Sequence, residues 1–162
     1  MAIIGIDPGK AGAVAVINAD GSTADVRDFP VDKQGIIPLE LFSMIAEMRS
    51  TRSEPVTHIL VENVHAMPGQ GVTSMFSFGK SFGIILGVTG VLGIAVEMVP
   101  PQKWQKLFGI GKDTKGDAVS KAARLFPDAE LYGPRGGAKD GRADALLVAE
   151  YGRRILIGGG AS

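Results

Sequence analysis

The sequence predicts an α/β fold in which a five-stranded mixed sheet is flanked by helices. Short runs of apolar, β-branched residues that stop at Gly, Pro or Asp are typical of buried strands. Three such runs open the chain, and later runs alternate with segments of helical periodicity. With 162 residues, 45% hydrophobic and 21% charged, the chain is predicted to form one domain over residues 1–157 and a flexible tail over residues 158–162.

The first three strands are predicted at residues 2–6, 13–17 and 25–29. A Pro-Gly pair ends the first run, and an Asp-Gly pair separates the second run from the third. Because strands joined by short turns pair side by side in opposite directions, this segment is predicted to be an antiparallel meander.

The remaining elements alternate between helices and strands. A helix begins at Pro38 and ends near residues 50–51. Its core-facing residues are predicted to be Leu39, Phe42, Ile45 and Ala46. Further strands are predicted at residues 58–64 and 94–99, and further helices at residues 72–92, 102–107, 114–125 and 140–154. Trp104 is interpreted as a core anchor between its short helix and the sheet.

The helix over residues 72–92 carries glycines four residues apart, at Gly79, Gly83 and Gly87. Such a ridge favours the close approach of another helix, either from the same chain or from a second subunit. Lys80 and Ser81 interrupt the apolar surface, and the uncharged stretch that follows is short for a membrane span of about 20 residues. Because no secretion signal is visible either, we expect a soluble, cytoplasmic protein without a membrane partner.

Composition limits the metal chemistry. The chain has no cysteine and two histidines, which excludes thiolate zinc sites and histidine clusters. A bound metal would therefore have mainly oxygen ligands, as Mg²⁺ or Mn²⁺ does. The net charge is zero, but residues 101–142 carry a net charge of +4 and residues 1–62 a net charge of −4. The basic segment over residues 101–142 could bind phosphates, although a solvated helical surface would have the same composition.

Two acids follow buried strands. Asp7 ends the first strand and Glu62 follows the apolar centre of the fourth. If these strands are parallel, as a crossover between strands normally makes them, both carboxylates emerge at the same edge of the sheet. Alone, Asp7 before Pro-Gly is also compatible with a phosphate-loop residue or with the cap of an Asx-type turn.

Two more acids begin the last helix. Asp140 and Asp144 are four residues apart and project from one face of its first turns. A favourable interaction with the helix dipole explains Asp140, but Asp144 borders an apolar face and needs a partner. Four carboxylates at one sheet edge would repel each other unless divalent cations lay among them. Two such ions, about 4 Å apart, would support phosphodiester cleavage.

Four segments in order resemble the RuvC family of Holliday-junction resolvases, with the last closer to its bacteriophage branch. They are residues 4–9 (IGIDPG), 61–64 (VENV), 109–115 (GIGKDTK) and 140–146 (DGRADAL). The resemblance implies an RNase H-like fold and a homodimer that cuts four-way DNA junctions with Mg²⁺ or Mn²⁺, two ions per active site, in DNA recombination and repair. If phage-encoded, the protein would act in the host cytoplasm.

The resemblance also implies roles for individual residues. Asp7, Glu62 and Asp144 would be metal ligands, with Asp140 the fourth; the cellular family spaces its last two ligands three apart, and Gly141 stands at that position here. Lys115 would contact the scissile phosphate. Further DNA contacts are assigned to Lys112 and Lys106. His65 takes the place of an aromatic residue that opens the junction, with Met67 and Phe76 as alternatives.

Three alternatives stay open at this point. The same scaffold also suits a less selective flap or branched-DNA endonuclease, or a ribonuclease H-like enzyme. An actin-like ATPase shares the Asp-x-Gly turn but needs two such halves, and 162 residues supply one. A junction-binding protein without activity is disfavoured because four clustered carboxylates would repel DNA.

Overall fold

The computed structural model of the chain describes residues 1–64, 71–111 and 116–158. Five strands form a sheet. They are β1 (Ala2–Asp7), β2 (Ala13–Asn18), β3 (Thr23–Asp28), β6 (Val56–Glu62) and β7 (Ala95–Val99). Their order in the sheet is β3-β2-β1-β6-β7, in which β1, β2 and β3 are an antiparallel meander and β6 and β7 run parallel to β1. The predicted five-stranded mixed sheet is confirmed. A two-stranded hairpin, β4 (Val31–Asp32) and β5 (Gly35–Ile36), was not predicted.

Helices cover both faces of the sheet. The helices are α1 (Pro38–Ser50), α2 (Val72–Gly90), α3 (Pro101–Phe108), α4 (Asp117–Leu125) and α5 (Asp140–Leu156). Buried side chains of α1 and α2 form one apolar core with one face of the sheet, and those of α3, α4 and α5 form a second core with the other face. Along β1, Ile3 packs on the α5 side and Ile4 and Ile6 pack on the α1 side, as the alternation of a strand requires.

The centre of the fold is the contact between α5 and β1. A Cβ atom at Gly5 would collide with the backbone of Ala145 and Ala149, so the helix lies directly on the strand at this glycine. The buried face of α5 is therefore wide and includes four successive apolar residues after Ala145, namely Leu146, Leu147, Val148 and Ala149. This contact fixes the first turns of α5 against the end of β1.

The predicted core face of α1 is partly wrong. Its buried residues are Leu41, Ile45 and Met48, whereas Leu39 is 74% exposed and Phe42 is also exposed. The sequence offers two overlapping apolar stripes on this helix, and position 45 belongs to both. The stripe that reaches Met48 packs against the sheet, because tertiary packing rather than local spacing selects the buried face.

The glycine ridge of α2 has no partner within the described part of the chain. A Cβ atom placed on Gly79, Gly83 or Gly87 meets nothing within 4 Å, so the internal helix contact that the sequence suggested is absent there. Phe76, on the same helix, is exposed. By length and apolar composition alone, α2 is long enough to cross a membrane. Of its apolar stretch, 17% is buried within the fold.

Candidate metal and nuclease site

Asp7 is the last residue of β1 and is 8% exposed. The backbone N–H of Gly9 donates a hydrogen bond to its Oδ1 at 2.9 Å, so the Asx-type turn suggested by the sequence is present. Burial raises the pKa of Asp7, and the Gly9 N–H opposes that rise because it stabilises the ionised form. The turn thus holds Oδ1 at the end of the strand and leaves Oδ2 available to bind a cation.

Glu62 ends the neighbouring strand and is 7% exposed. β1 and β6 are parallel, and Ile6 pairs with Val61, which places Asp7 and Glu62 beside each other at one sheet edge. The two carboxyl groups lie close enough for each to act on the pKa of the other. Burial, followed by the charge of Asp7, raises the pKa of Glu62 to about 7.

Asp144 reaches the same place from the second turn of α5. Burial raises its pKa to about 8, and the charges of Asp7, Glu62 and Asp140 add to that rise, in decreasing order. Asp140, which lies four residues before Asp144 on α5, is exposed. The structure therefore brings Asp7, Glu62 and Asp144 together and places Asp140 at their solvent side.

Gly141 explains how closely α5 approaches these acids. A Cβ atom at this position would collide with the carbonyl oxygen of Ala11 and come within 3.0 Å of Asp7 Oδ2. The loop between β1 and β2 thus occupies the space that a side chain at position 141 would need. A carboxylate three residues before Asp144, the spacing of cellular RuvC proteins, has no room in this backbone arrangement.

Another acid at the same sheet edge has cationic partners. Asp28, at the end of β3, accepts hydrogen bonds from Lys139 Nζ at 2.9 Å and from Arg142 Nε at 2.7 Å. Arg142 and then Lys139 lower the pKa of Asp28 against the effect of burial. In the described ranges, by contrast, no Lys or Arg forms a salt bridge with Asp7, Glu62 or Asp144.

The donor set fits a hard divalent cation by its chemistry, since three carboxylates converge without a counter-charge from the described residues. Within residues 1–64, 71–111 and 116–158, no three acidic or histidine side chains already surround one point as ligands of a single ion. A cation at this edge would replace protons and would require the carboxylates to turn toward it.

The remaining predicted site residues are divided between described and undescribed parts of the chain. Lys106 lies on α3 and is exposed. Lys112, Lys115 and His65 lie outside the described residues, as do the alternative wedge residue Met67 and residues 159–162 of the predicted tail.

Sequence reasoning recognised Trp104 as a core residue but missed its contact with the site. Trp104 is 1% exposed, as predicted, and its indole N–H donates a hydrogen bond to Glu62 Oε1 at 2.9 Å. A buried indole N–H usually finds an acceptor, and that tendency was the available signal. Which acceptor it finds depends on the packing of α3 against β6.

The fold is shared with solved RuvC structures. The chain is similar to T. thermophilus RuvC in complex with a Holliday junction substrate, at 16% identity and a TM-score of 0.68, covering 98% of this chain and 97% of that one. It is also similar to a second Thermus thermophilus RuvC structure, at 18% identity and a TM-score of 0.66, with the same coverage of both chains. No family model and no curated protein matches the sequence. The RNase H-like fold is thereby confirmed.

Proposed function

We propose that this protein is a divalent-metal-dependent endonuclease that cuts four-way DNA junctions by phosphodiester hydrolysis. The observation that carries the proposal is the convergence of three carboxylates from three elements, without a described cation to neutralise them. Burial of acids at such a cost is typical of functional sites. The similarity over nearly the whole chain to a RuvC that is bound to a Holliday junction supports the choice of substrate.

In this proposal Asp7, Glu62 and Asp144 hold Mg²⁺, with Mn²⁺ as a substitute, and Asp140 is the fourth ligand on the exposed side. Two bound ions would activate a water molecule and stabilise the leaving oxygen. The protein's own contribution is to fix the ligands: the Gly9 N–H holds one oxygen of Asp7, and the close packing at Gly141 holds the start of α5. Because all three acids are partly or fully buried, competing water is kept from their inner faces.

The DNA contacts are also part of the proposal. Lys115 is assigned to the scissile phosphate, and Lys112 and Lys106 to the backbone on either side. All three lysines belong to the basic segment over residues 101–142. His65 is assigned to base stacking at the branch point.

We further propose that two copies pair through α2. The glycine ridge is open, and the exposed apolar residues of this helix, Val72, Phe76 and Leu86, would otherwise face water. Two subunits would place one acid cluster on each of two strands of a junction. Phe76→Glu is expected to convert a dimer into a monomer in sedimentation-velocity measurements, whereas Leu107→Glu, at an exposed position on α3 across the sheet, should leave the dimer intact.

The decisive experiment compares cleavage of an immobile four-way junction, a Y-fork and an RNA–DNA hybrid in Mg²⁺ and in EDTA. Selective, Mg²⁺-dependent cutting of the junction is expected, with paired nicks on two strands. Equal rates on the junction and the fork would instead favour a broader branched-DNA or flap endonuclease, and preference for the hybrid a ribonuclease H-like enzyme. No cutting of any substrate in Mg²⁺ or Mn²⁺ would refute the nuclease proposal.

A further inference from the structure

Trp104, which the sequence predicts only as a core residue, also contacts Glu62 at the proposed site. Trp104 is 1% exposed and is the only tryptophan in the protein. Its indole N–H donates to Glu62 Oε1 at 2.9 Å, and both side chains are buried. A neutral donor on a buried carboxylate fixes the rotamer of the acid without neutralising its charge.

The backbone makes this contact rigid. Val99, the last residue of β7, pairs with Glu62, the last residue of β6. Pro100 and Pro101 then lead straight into α3, so only four residues separate Val99 from Trp104. Since proline fixes φ and is well suited to the first turn of a helix, the direction of α3 is set at the point where the strand ends.

The contact also divides the two oxygens of Glu62 between two tasks. Oε1 accepts the indole N–H, while the charge of Asp7 also acts on the carboxyl group. The edge of the carboxylate that is not held by Trp104 is therefore the part available to the site. An acid anchored on one side loses less conformational freedom when it binds a cation than an acid that is free to rotate.

We infer that Trp104 is a positioning residue that pre-orients Glu62 for a divalent cation through its indole N–H. This inference rests on the proposed metal site and deepens it, because it assigns part of the cation affinity to a residue that does not touch the cation. Partners of this kind commonly change metal affinity by about 10- to 100-fold when removed.

The hydrogen bond itself is tested without any metal. In a ¹⁵N-labelled sample the single tryptophan gives a single indole N–H signal. We expect this signal to be protected from exchange with D₂O and to move when Glu62 is replaced by Gln. A rapidly exchanging indole proton, or an unchanged position in Glu62→Gln, would overturn the inference.

The effect on the cation is tested with Mn²⁺ and Mg²⁺ alone, by calorimetric titration. Because the chain has one tryptophan, growth on β-(3-benzothienyl)alanine replaces Trp104 and nothing else, with sulfur in place of the ring N–H and nearly the same shape. We expect Mn²⁺ to bind this protein at least about tenfold more weakly than the natural one. Trp104→Phe should show the same loss.

Phe108→Leu is the matched control, because Phe108 is a buried aromatic residue of the same helix whose ring contacts Arg154 rather than the acids. It should lower the melting temperature and leave the Kd for Mn²⁺ unchanged. Equal Mn²⁺ affinity in the natural and benzothienyl proteins would overturn the role of Trp104 while the metal site stands. Absence of Mn²⁺ and Mg²⁺ binding in the natural protein would refute the proposed metal site, and the inference with it.

Discussion

Each end of α5 carries an acid that is at least half-buried, and the protein treats the two acids in opposite ways. Near the C-terminal end, Glu150 is 3% exposed and accepts hydrogen bonds from Arg153 Nε at 2.6 Å and Arg154 Nε at 2.7 Å. These arginines lower its pKa despite burial. Near the N-terminal end, Asp144 faces other acids, and its pKa is raised to about 8.

This difference in neighbouring charges indicates a different role for each acid. Glu150 has its counter-charges within its own helix, and Arg153 also donates to the carbonyl oxygen of Ala19, so this cluster ties α5 to the turn between β2 and β3. Asp144 has no such partner in the described chain. A charge that is neutralised internally is tied to the fold, whereas a charge left without compensation among the described residues indicates a partner from outside them.

The largest expected effect is the loss of activity in Asp144→Asn. The amide removes a charge from the proposed metal site, so junction cleavage should fall by more than about 100-fold. This is more than the loss expected when a residue that only orients a metal ligand is replaced. The free energy of unfolding at pH 8 should stay the same or rise, because repulsion with Asp7 and Glu62 is relieved. Single-turnover cleavage and urea denaturation measure the two quantities, and cleavage within threefold of the natural protein would contradict the assignment.

Gly141→Ala tests the close approach that holds Asp144 in place. The new methyl group would collide with the Ala11 carbonyl and push the start of α5 away from Asp7. We expect a loss of about 1–3 kcal/mol in the free energy of unfolding, as for other overpacked sites, and weaker Mn²⁺ binding. Gly137→Ala is the control, because a Cβ atom there meets nothing within 4 Å. If the two variants behave alike, the contact is not what positions the helix.

Glu150→Gln should separate stability from activity. The amide cannot balance Arg153 and Arg154, both of which retain access to water, so the expected loss is about 1–3 kcal/mol in the free energy of unfolding. Cleavage per folded molecule should be unchanged, because this cluster lies at the far end of α5. A drop in kcat at a temperature where the variant is fully folded would show that the two ends are coupled.

Stability should depend on pH through the uncompensated acids. The pKa values of Glu62 and Asp144, about 7 and about 8, lie above their ordinary values of 4.5 and 3.8, so the folded state binds more protons between these limits. Their contribution is complete below about pH 4 and is lost as pH rises through about 8, with a slope of at most about 1.4 kcal/mol per pH unit for each group. Urea denaturation from pH 5 to pH 8.5 without divalent cations should show this decline.

Two results would decide the pH prediction. Asp144→Asn should flatten the decline, and saturating Mg²⁺ should reduce it, because a bound cation replaces the protons. A decline of equal slope in the natural protein and in Asp144→Asn would mean that other groups cause it.

The sequence predicted the parts of the site that depend on strand order. Asp7 and Glu62 each follow an apolar run, and parallel pairing brings such positions to one edge. It did not predict the parts that depend on packing between elements. The contact of Trp104 with Glu62 joins residues 42 apart in sequence, and the collision that keeps position 141 a glycine involves a loop 130 residues away. The buried stripe of α1 was missed for the same reason, since local spacing allowed two.

The smallest expected effect distinguishes the two acids that begin α5. Asp140 is exposed, whereas Asp144 is half-buried beside the other acids, although each acts on the same cluster. A ligand at the solvent side is replaced by water more easily than one held among buried groups. Asp140→Asn should therefore reduce cleavage by no more than about tenfold and be rescued in part by higher Mg²⁺. If Asp140→Asn is as inactive as Asp144→Asn at every Mg²⁺ concentration, then Asp140 turns inward when the cation binds, and exposure in this structure does not rank the ligands.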